Sequence, residues 1–222
     1  MSLQDLDSAR ISSSNSARSS GARGGRSALD RIRYETRALH EQIEGIVPLL
    51  QPGADEQTYR MYLEKLLGFH RPLEPVLFAR AGLRELGIRR AEREKAPWLA
   101  RDLLTLGLSA EEVITLPRCR TLPCVQSLSA ALGCCYVLEG ATLGAQLIHR
   151  ELSTRLPDTM SRASSYLRCY GTETGRMWKA FCAALEHHGQ CAEEQLEMAD
   201  AARKTFTTLR AWLLGVNGTA QG

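Results

Sequence analysis

The first residues whose types and spacing could support chemistry are His40 and Glu44, in the segment LHEQIE. Residues four positions apart lie on the same face of a helix, so this imidazole and this carboxylate can meet. Proteins often orient a metal-binding histidine in this way, by donating its second ring N–H to a carboxylate. The same spacing is also common in solvated surface pairs, and spacing alone favours that interpretation.

The second unusual feature is the stretch LGCCYVLEGATLGAQLIHREL, residues 132–152, which has the pattern of a buried helix. Its interior contains Gly133, Gly140 and Gly144, although an interior glycine costs roughly 1 kcal/mol relative to alanine. At about 100° per residue, these three positions form one narrow stripe of bare backbone. Such a stripe can accommodate a neighbouring helix or a planar ligand. Helix packing is the commoner reason, so the glycines alone do not establish a ligand site.

The remaining histidines and the cysteines have ordinary interpretations. Histidines near helix ends are favoured by the helix dipole, so we interpret four of them as structural or solvated: His70, His149, His187 and His188. The seven cysteines show no CxxC pair, which predicts reduced thiols in a cytosolic protein rather than disulfides or a zinc site. The sequence contains no nucleotide-binding or serine-hydrolase motif.

Composition limits the class of protein. The chain has 222 residues, of which 44% are hydrophobic and 24% charged, as expected for one globular domain. A formal net charge of +3, with the positive excess near the N-terminus, is too small to indicate nucleic-acid binding. No apolar run approaches the roughly 18 residues that span a bilayer. We therefore expect a soluble, cytoplasmic protein that contacts neither nucleic acid nor membrane.

The elements that position these residues are predicted to be helices. We expect a single all-α, multi-helix domain over residues 28–215, a disordered Ser/Arg/Gly-rich tail at 1–27 and a flexible C-terminus at 216–222. A second helix should begin near Asp55 and end or kink at Pro72 and Pro75. Residues 107–124 should be mostly irregular. The other helices are predicted at residues 28–45, 96–106, 132–152 (with Ser127 or Ser129 as cap), 172–186 and 193–214, the last with Leu196 on its inner side.

The histidine and the glycine-rich helix together carry more information than either alone. A histidine near the end of the first helix, followed by a glycine-rich helix later in an all-α chain, resembles the heme oxygenase family. The resemblance extends from about Arg31 to Leu214. Its most specific parts are LHEQIE, residues 39–44, and YVLEGATLGAQL, residues 136–147. The EGxxLGA form of the second motif is more similar to bacterial than to mammalian members.

The resemblance implies a heme oxygenase-like fold that holds heme b between a proximal and a distal helix. His40 would be the axial ligand of the heme iron, with Glu44 accepting a hydrogen bond from its second ring nitrogen. Gly140 and Gly144 would form the distal wall, where backbone can approach O₂. The other heme contacts implied are Tyr136 and three cations for the propionates, Arg33, Arg176 and Lys179.

One position departs from the mammalian pattern. Mammalian members carry an aspartate directly after the first distal glycine, where it anchors water that delivers protons, and this chain has Ala141. Bacterial relatives also replace this aspartate, so the resemblance still implies activity. Proton delivery would then use backbone-bound water or Thr142, although a threonine hydroxyl in a helix also bonds to carbonyls of its own helix.

The leading hypothesis is a heme oxygenase that converts heme, with O₂ and electrons, into biliverdin, CO and ferrous iron. It would need an external electron donor, such as a ferredoxin with its reductase. The reaction could release iron or supply biliverdin to a photoreceptor. Two alternatives remain open: a non-catalytic heme-binding or heme-trafficking protein on the same fold, and a helical interaction protein whose glycines only pack helices.

Overall fold

A computed structural model describes residues 26–215. The predictions for residues 1–25 and 216–222 lie outside this part of the chain. The described residues form helices and no strands, which confirms the all-α prediction. The α-helices are α1 (Ala28–Ile46), α2 (Glu56–Phe78), α3 (Ala81–Glu85), α4 (Arg90–Arg93), α5 (Ala96–Thr105), α6 (Ala110–Thr115), α7 (Leu128–Arg155), α8 (Pro157–Arg162), α9 (Ser165–Arg168), α10 (Thr174–His188) and α11 (Ala192–Leu213), with 3-10 turns at Pro48–Leu50 and Gly171–Glu173.

The glycine-rich helix α7 lies at the centre of the fold. It packs most extensively against α11 and also contacts α8, α9 and α10. By length and composition α7 could cross a bilayer, contrary to the expectation from the sequence, but 78% of its apolar window is buried inside the fold. Because its apolar side chains are enclosed by other helices of the same chain, α7 behaves here as a core helix.

Side-chain caps fix where the long helices begin. The hydroxyl of Ser127 accepts the N–H of Ala130 at the start of α7, so Ser127 is the cap. Ser129 is instead buried, and its hydroxyl lies 3.0 Å from Nε2 of His188. The first helix begins in the same way, with Ser27 accepting the N–H of Asp30.

The second helix does not end at the two prolines, because α2 continues through Pro72 and Pro75 to Phe78. Pro72 has no N–H to donate to the carbonyl of Gly68, four residues earlier. That carbonyl instead accepts the N–H of Cys119 at 2.9 Å, so the proline leaves no buried acceptor unsatisfied. The buried side chains of Leu73 and Leu77 then hold the last turns in the core.

Residues 107–124 are mostly irregular, as predicted, except for the short helix α6, which begins with a capping box formed by Ser109 and Glu112. One other prediction is wrong. Leu196 is 51% exposed and does not face the core. The buried face of α11 contains Ala202, and Leu196 lies about 120° around the helix from it.

The structure separates the roles of two glycines in the stripe on α7. A Cβ atom at Gly133 would overlap the carbonyl oxygen of Met198 on α11 and lie 2.8 Å from Cβ of Ala201. Gly133 is therefore a helix-packing glycine. A Cβ at Gly140 would come no closer than 3.8 Å to the ring of Trp178, an ordinary contact distance. Close packing thus explains Gly133 and does not explain Gly140.

We therefore predict opposite effects on stability for the same substitution at these two sites. Gly133→Ala should lower the free energy of unfolding by about 1–3 kcal/mol, because a backbone carbonyl of α11 must move. Gly140→Ala should be neutral or stabilise the protein by up to about 1 kcal/mol, because alanine favours a helix and meets no close neighbour. Denaturant unfolding of both variants measures the difference. Equal losses of stability would show that Gly140 is also a packing residue.

Candidate functional site

A cavity of about 350 Å³ lies between α1 and α7. This volume is within the range of about 300–1,000 Å³ that is typical of cofactor and small-molecule sites. Mostly apolar side chains line it. The residues that close its sides from α2, α9, α10 and α11 include Tyr62, Leu66, Tyr166, Trp178 and Phe206.

The wall formed by α1 contains the predicted pair His40 and Glu44. Nδ1 of His40 lies 3.2 Å from Oε1 of Glu44, and both side chains are about three-quarters buried. The ring of Phe206 meets the imidazole edge-on, with centroids 5.7 Å apart. Burial, and to a lesser degree the charge of Glu41, raises the pKa of Glu44 above its ordinary value. Because Nδ1 faces the carboxylate, Nε2 is the ring nitrogen suited to a ligand in the cavity.

The wall formed by α7 contains Gly140 and Gly144. Ala141, the residue after Gly140, also lines the cavity and provides no carboxylate there. Tyr136, one turn earlier, lines the cavity and packs against Trp178 with ring centroids 5.7 Å apart. This part of α7 therefore presents bare backbone together with aliphatic and aromatic side chains to the cavity.

Thr142 does not line this cavity. Its side chain is buried, and its hydroxyl donates to the backbone carbonyl of Glu139 at 2.7 Å. Of the two alternatives for this hydroxyl, proton delivery or a bond to a carbonyl of its own helix, the structure shows the bond. The structure therefore gives Thr142 a structural environment and leaves the α7 wall without a hydroxyl from this residue.

Of the three cations expected at the site, the structure brings Arg33 to the cavity and leaves the other two outside it. Arg176 is exposed and bonds to Glu173, and Lys179 is also exposed. Both lie on α10, and the residue of this helix that lines the cavity is Trp178. Around the helix axis, Arg176 lies about 200° and Lys179 about 100° from Trp178.

A second arginine, Arg37, lines the cavity although sequence reasoning did not select it. Its Nε donates to Oε1 of Glu41 at 3.1 Å. The signal was present in the sequence, because Arg33, Arg37 and His40 follow one another at intervals of four and three residues. Such intervals place all three on one face of α1.

His70 is the most important residue that sequence reasoning missed. It was interpreted as structural or solvated, but it is 3% exposed and lines the cavity from α2. Its Nδ1 lies 2.8 Å from Oε1 of Glu74. The spacing in HRPLE, residues 70–74, is the same as that between His40 and Glu44, and this repetition was the available signal.

Glu74 holds His70 in place through a saturated set of hydrogen bonds. Besides the imidazole, its carboxylate accepts the N–H groups of Lys95 at 2.8 Å and Ala96 at 3.1 Å, where α5 begins. Burial alone would raise the pKa of Glu74. The bond and charge of His70, together with the two backbone N–H groups, outweigh burial and lower this pKa below its ordinary value.

A buried cluster of charges lies directly behind the α7 wall. Glu139, the residue before Gly140, pairs with Arg93 and with Nζ of Lys95, the latter at 2.6 Å. The hydroxyl of Tyr170 donates to the same carboxylate at 3.0 Å. Burial would lower the pKa of Lys95, but the charge of Glu139 reverses this and raises it. The cluster, defined as Arg93, Lys95, Glu139 and Tyr170, anchors α7 to the segment between α4 and α5.

The donor set fits heme better than a bare metal ion. Within residues 26–215, no group of three or more His, Cys, Asp or Glu side chains could hold a metal ion. A single histidine beside an apolar cavity is sufficient for iron that a porphyrin already holds by its four nitrogens. Two arginines on the same helix as His40 also line the cavity, where they would supply positive charge for the carboxylates of heme.

The heme oxygenase family model matches residues 26–214, so the chain belongs to the heme oxygenase family. Members of this family bind heme as their substrate.

A heme oxygenase from Xanthomonas campestris pv. campestris (strain 8004) is 28% identical over 160 residues, which cover 70% of this chain and 88% of the relative. The fold is similar to that of the NO- and CO-bound heme oxygenase from Neisseria meningitidis, with a TM-score of 0.72 at 20% identity. That alignment covers 89% of this chain and 96% of the Neisseria chain.

The buried cluster predicts a large loss of stability when its single carboxylate is neutralised. Glu139→Gln leaves the buried charges of Arg93 and Lys95 without a counter-charge, which should cost about 3–5 kcal/mol in the free energy of unfolding. Glu173→Gln removes the exposed partner of Arg176 and should cost about 0–1 kcal/mol. Chemical denaturation compares the two. A similar small loss in both variants would show that the cluster does not anchor α7.

Proposed function

We propose that this protein is a heme-degrading enzyme that binds heme between α1 and α7, with His40 as the axial ligand. One observation carries the proposal: the His40–Glu44 pair and the Gly140–Gly144 segment, distant in sequence, line the same cavity. Glu44 would fix the orientation of the imidazole and increase its basicity as a ligand. Arg33 and Arg37 replace Arg176 and Lys179 as the proposed partners of the propionates.

Heme, when bound, supplies the iron that activates O₂ and the porphyrin edge that is oxidised. The residues of the chain bind the heme, orient it and exclude water from the cavity. Gly140 and Gly144 carry no side chain that would keep the α7 backbone away from the ligand. Tyr136 and Trp178 make the surrounding wall apolar, which limits the access of bulk water.

Proton supply is assigned to His70. Ala141 has no ionisable group, and the hydroxyl of Thr142 already donates to a helix carbonyl. His70 is a titratable side chain on the cavity wall, and its Nδ1 is held by Glu74. Nε2 is therefore the nitrogen that can donate a proton to, or accept one from, a group or water in the cavity.

The proposed products are biliverdin, CO and ferrous iron, with electrons from an external donor such as a ferredoxin and its reductase. Use of biliverdin by a photoreceptor, release of iron, and a cytoplasmic location stay predictions from the sequence. The alternative of a non-catalytic heme-binding protein rests on the absence of a carboxylate and of a side-chain hydroxyl on the α7 wall at Ala141 and Thr142.

Titration with hemin, followed by a reductant under O₂, tests the proposal. The wild-type protein should develop a Soret band and then the absorbance of biliverdin. His40→Ala should lose the spectrum of histidine-ligated heme and most turnover, whereas His149→Ala, on α7 but outside the cavity lining, should keep both. An unchanged spectrum in His40→Ala would place the iron ligand elsewhere. A stable Soret band without biliverdin in the wild type would favour the non-catalytic alternative.

The role of His70 predicts a loss of turnover without a loss of binding. His70→Phe keeps an aromatic ring between Phe69 and Tyr166 and leaves Glu74 with its two backbone donors. Because general acid–base catalysis contributes about 10²–10⁴-fold, turnover should fall by about 10²-fold or more. Heme affinity should change little. Wild-type turnover in this variant would remove His70 from the mechanism.

A further inference from the structure

A second cavity, of about 410 Å³, lies on the other side of α9 from the heme cavity. Three arginines line it, Arg101 from α5, Arg162 from α8 and Arg168 from α9, together with serines and the ring of Trp98. No aspartate or glutamate is among its lining residues. We name it the arginine pocket.

Two of the three guanidinium groups in the arginine pocket have no counter-charge among residues 26–215. Arg162 already has partners, because it donates to the carbonyl of Thr105 and forms an ion pair with Glu56. The side chains of Arg101 and Arg168 are exposed, and neither forms a hydrogen bond or ion pair with any residue from 26 to 215. A concave site with two such cations attracts an anion, because the charges converge on one space.

The chemistry of the lining favours a phosphate group. A guanidinium presents a planar fork of N–H donors that matches two oxygens of a phosphate, and hydroxyls such as that of Ser165 add single donors. The N-terminal amides of α9 are not available, because the carboxylate of Asp102 accepts from Ser165 and Tyr166 at 2.8 Å each. Recognition must therefore come from the side chains.

Two structural connections link the arginine pocket to the heme cavity. In the four residues of α9, Ser165 and Arg168 line the arginine pocket, whereas Tyr166 and Leu167 line the heme cavity. Trp98 packs edge-on against Tyr170, with centroids 5.6 Å apart, and the hydroxyl of Tyr170 donates to Glu139 beside Gly140.

We propose that the arginine pocket binds a small phosphate-bearing molecule and that its occupancy changes the affinity of the heme cavity. Binding draws Arg101 and Arg168 toward the anion, and Arg168 moves with the helix that carries Tyr166. Linkage then requires that heme changes the affinity for the phosphate ligand by the same factor. The linkage rests on the proposed heme site, whereas the phosphate site itself does not.

Calorimetric titration of the heme-free protein with inorganic pyrophosphate, at constant ionic strength, tests the site. Binding should be saturable and should weaken about tenfold or more in the double variant Arg101→Gln/Arg168→Gln, because two charge-assisted contacts are lost. The control Arg84→Gln/Arg89→Gln removes the same charge from exposed positions outside the pocket and should bind as the wild type does. Unsaturable binding, equal weakening in both double variants, or tighter binding of citrate than of pyrophosphate would overturn the phosphate site.

A hemin titration with and without saturating pyrophosphate tests the linkage. The heme affinity of the wild type should shift with pyrophosphate, and that shift should disappear in Arg101→Gln/Arg168→Gln. Saturable pyrophosphate binding with an unchanged hemin affinity would overturn the linkage. If no hemin binds at all, the proposed function fails while the pyrophosphate isotherm still decides the phosphate site.

Discussion

The carboxylate of Glu139 is the interaction on which the geometry of the site depends. It is the only carboxylate in the buried cluster, where it faces two cations and a tyrosine hydroxyl. A buried ion pair rarely adds much net stability, but removing one partner is costly, so the cluster restricts where α7 can lie. Gly140 follows Glu139 directly in the chain. The bare backbone of the cavity wall is therefore positioned by the charge immediately before it.

A constraint of this kind is needed because α7 has two incompatible tasks. As a core helix it should be packed closely on all sides, and Gly133 shows this requirement where α11 approaches its backbone. As a cavity wall it must leave space next to Gly140, and unfilled space provides no packing energy. The packing that is missing at the cavity is replaced by α11 at one end of the helix and by the buried cluster behind it. This division explains why one glycine stripe contains residues with different roles.

The sequence predicted the long helices, and it placed some of the residues that line the cavity on shared helix faces, for physical reasons that can be stated. Periodicity extends over five turns in α1 and eight in α7, and the caps at Ser27 and Ser127 obey local rules. Helices of four to six residues, such as α6 and α9, are too short to show a period. The continuity of α2 through Pro72 depends on the N–H of Cys119, 47 residues away, and no local rule contains that contact.

The site residues divide in the same way. His40, Glu44 and Arg33 lie on one helix, so spacing along α1 predicts that they share a face. Arg176 lies on α10, whose rotation about its own axis is fixed by the burial of Met177, Trp178 and Phe181. If the predicted register of α10 is wrong by one or two residues, a side chain expected in the cavity lies in solvent instead. Spacing within one helix is therefore predictable, whereas the direction in which a distant helix faces depends on tertiary packing.

The two histidine–glutamate pairs show how tertiary structure gives different surroundings to the same local pattern. Glu74 is buried, and its two oxygens already have three hydrogen-bonding partners, an imidazole and two backbone N–H groups. Its carboxylate therefore has little room for another partner. The ring of His70 is also enclosed edge-on by Phe69 and Tyr166. Glu44 is less buried, and His40 shares its face of α1 with Arg33 and Arg37.

Of the two histidines that line the cavity, His40 lies on the helix that also carries Arg33 and Arg37. A heme ligated by His40 would therefore have cations for its propionates on the same helix, which supports the proposal of His40 as the iron ligand. His70 lies on a different helix, α2, and its Nδ1 is held by Glu74, which suits the proposed role in handling protons. The arginines of α1 are thus the reason to propose His40 rather than His70 as the iron ligand.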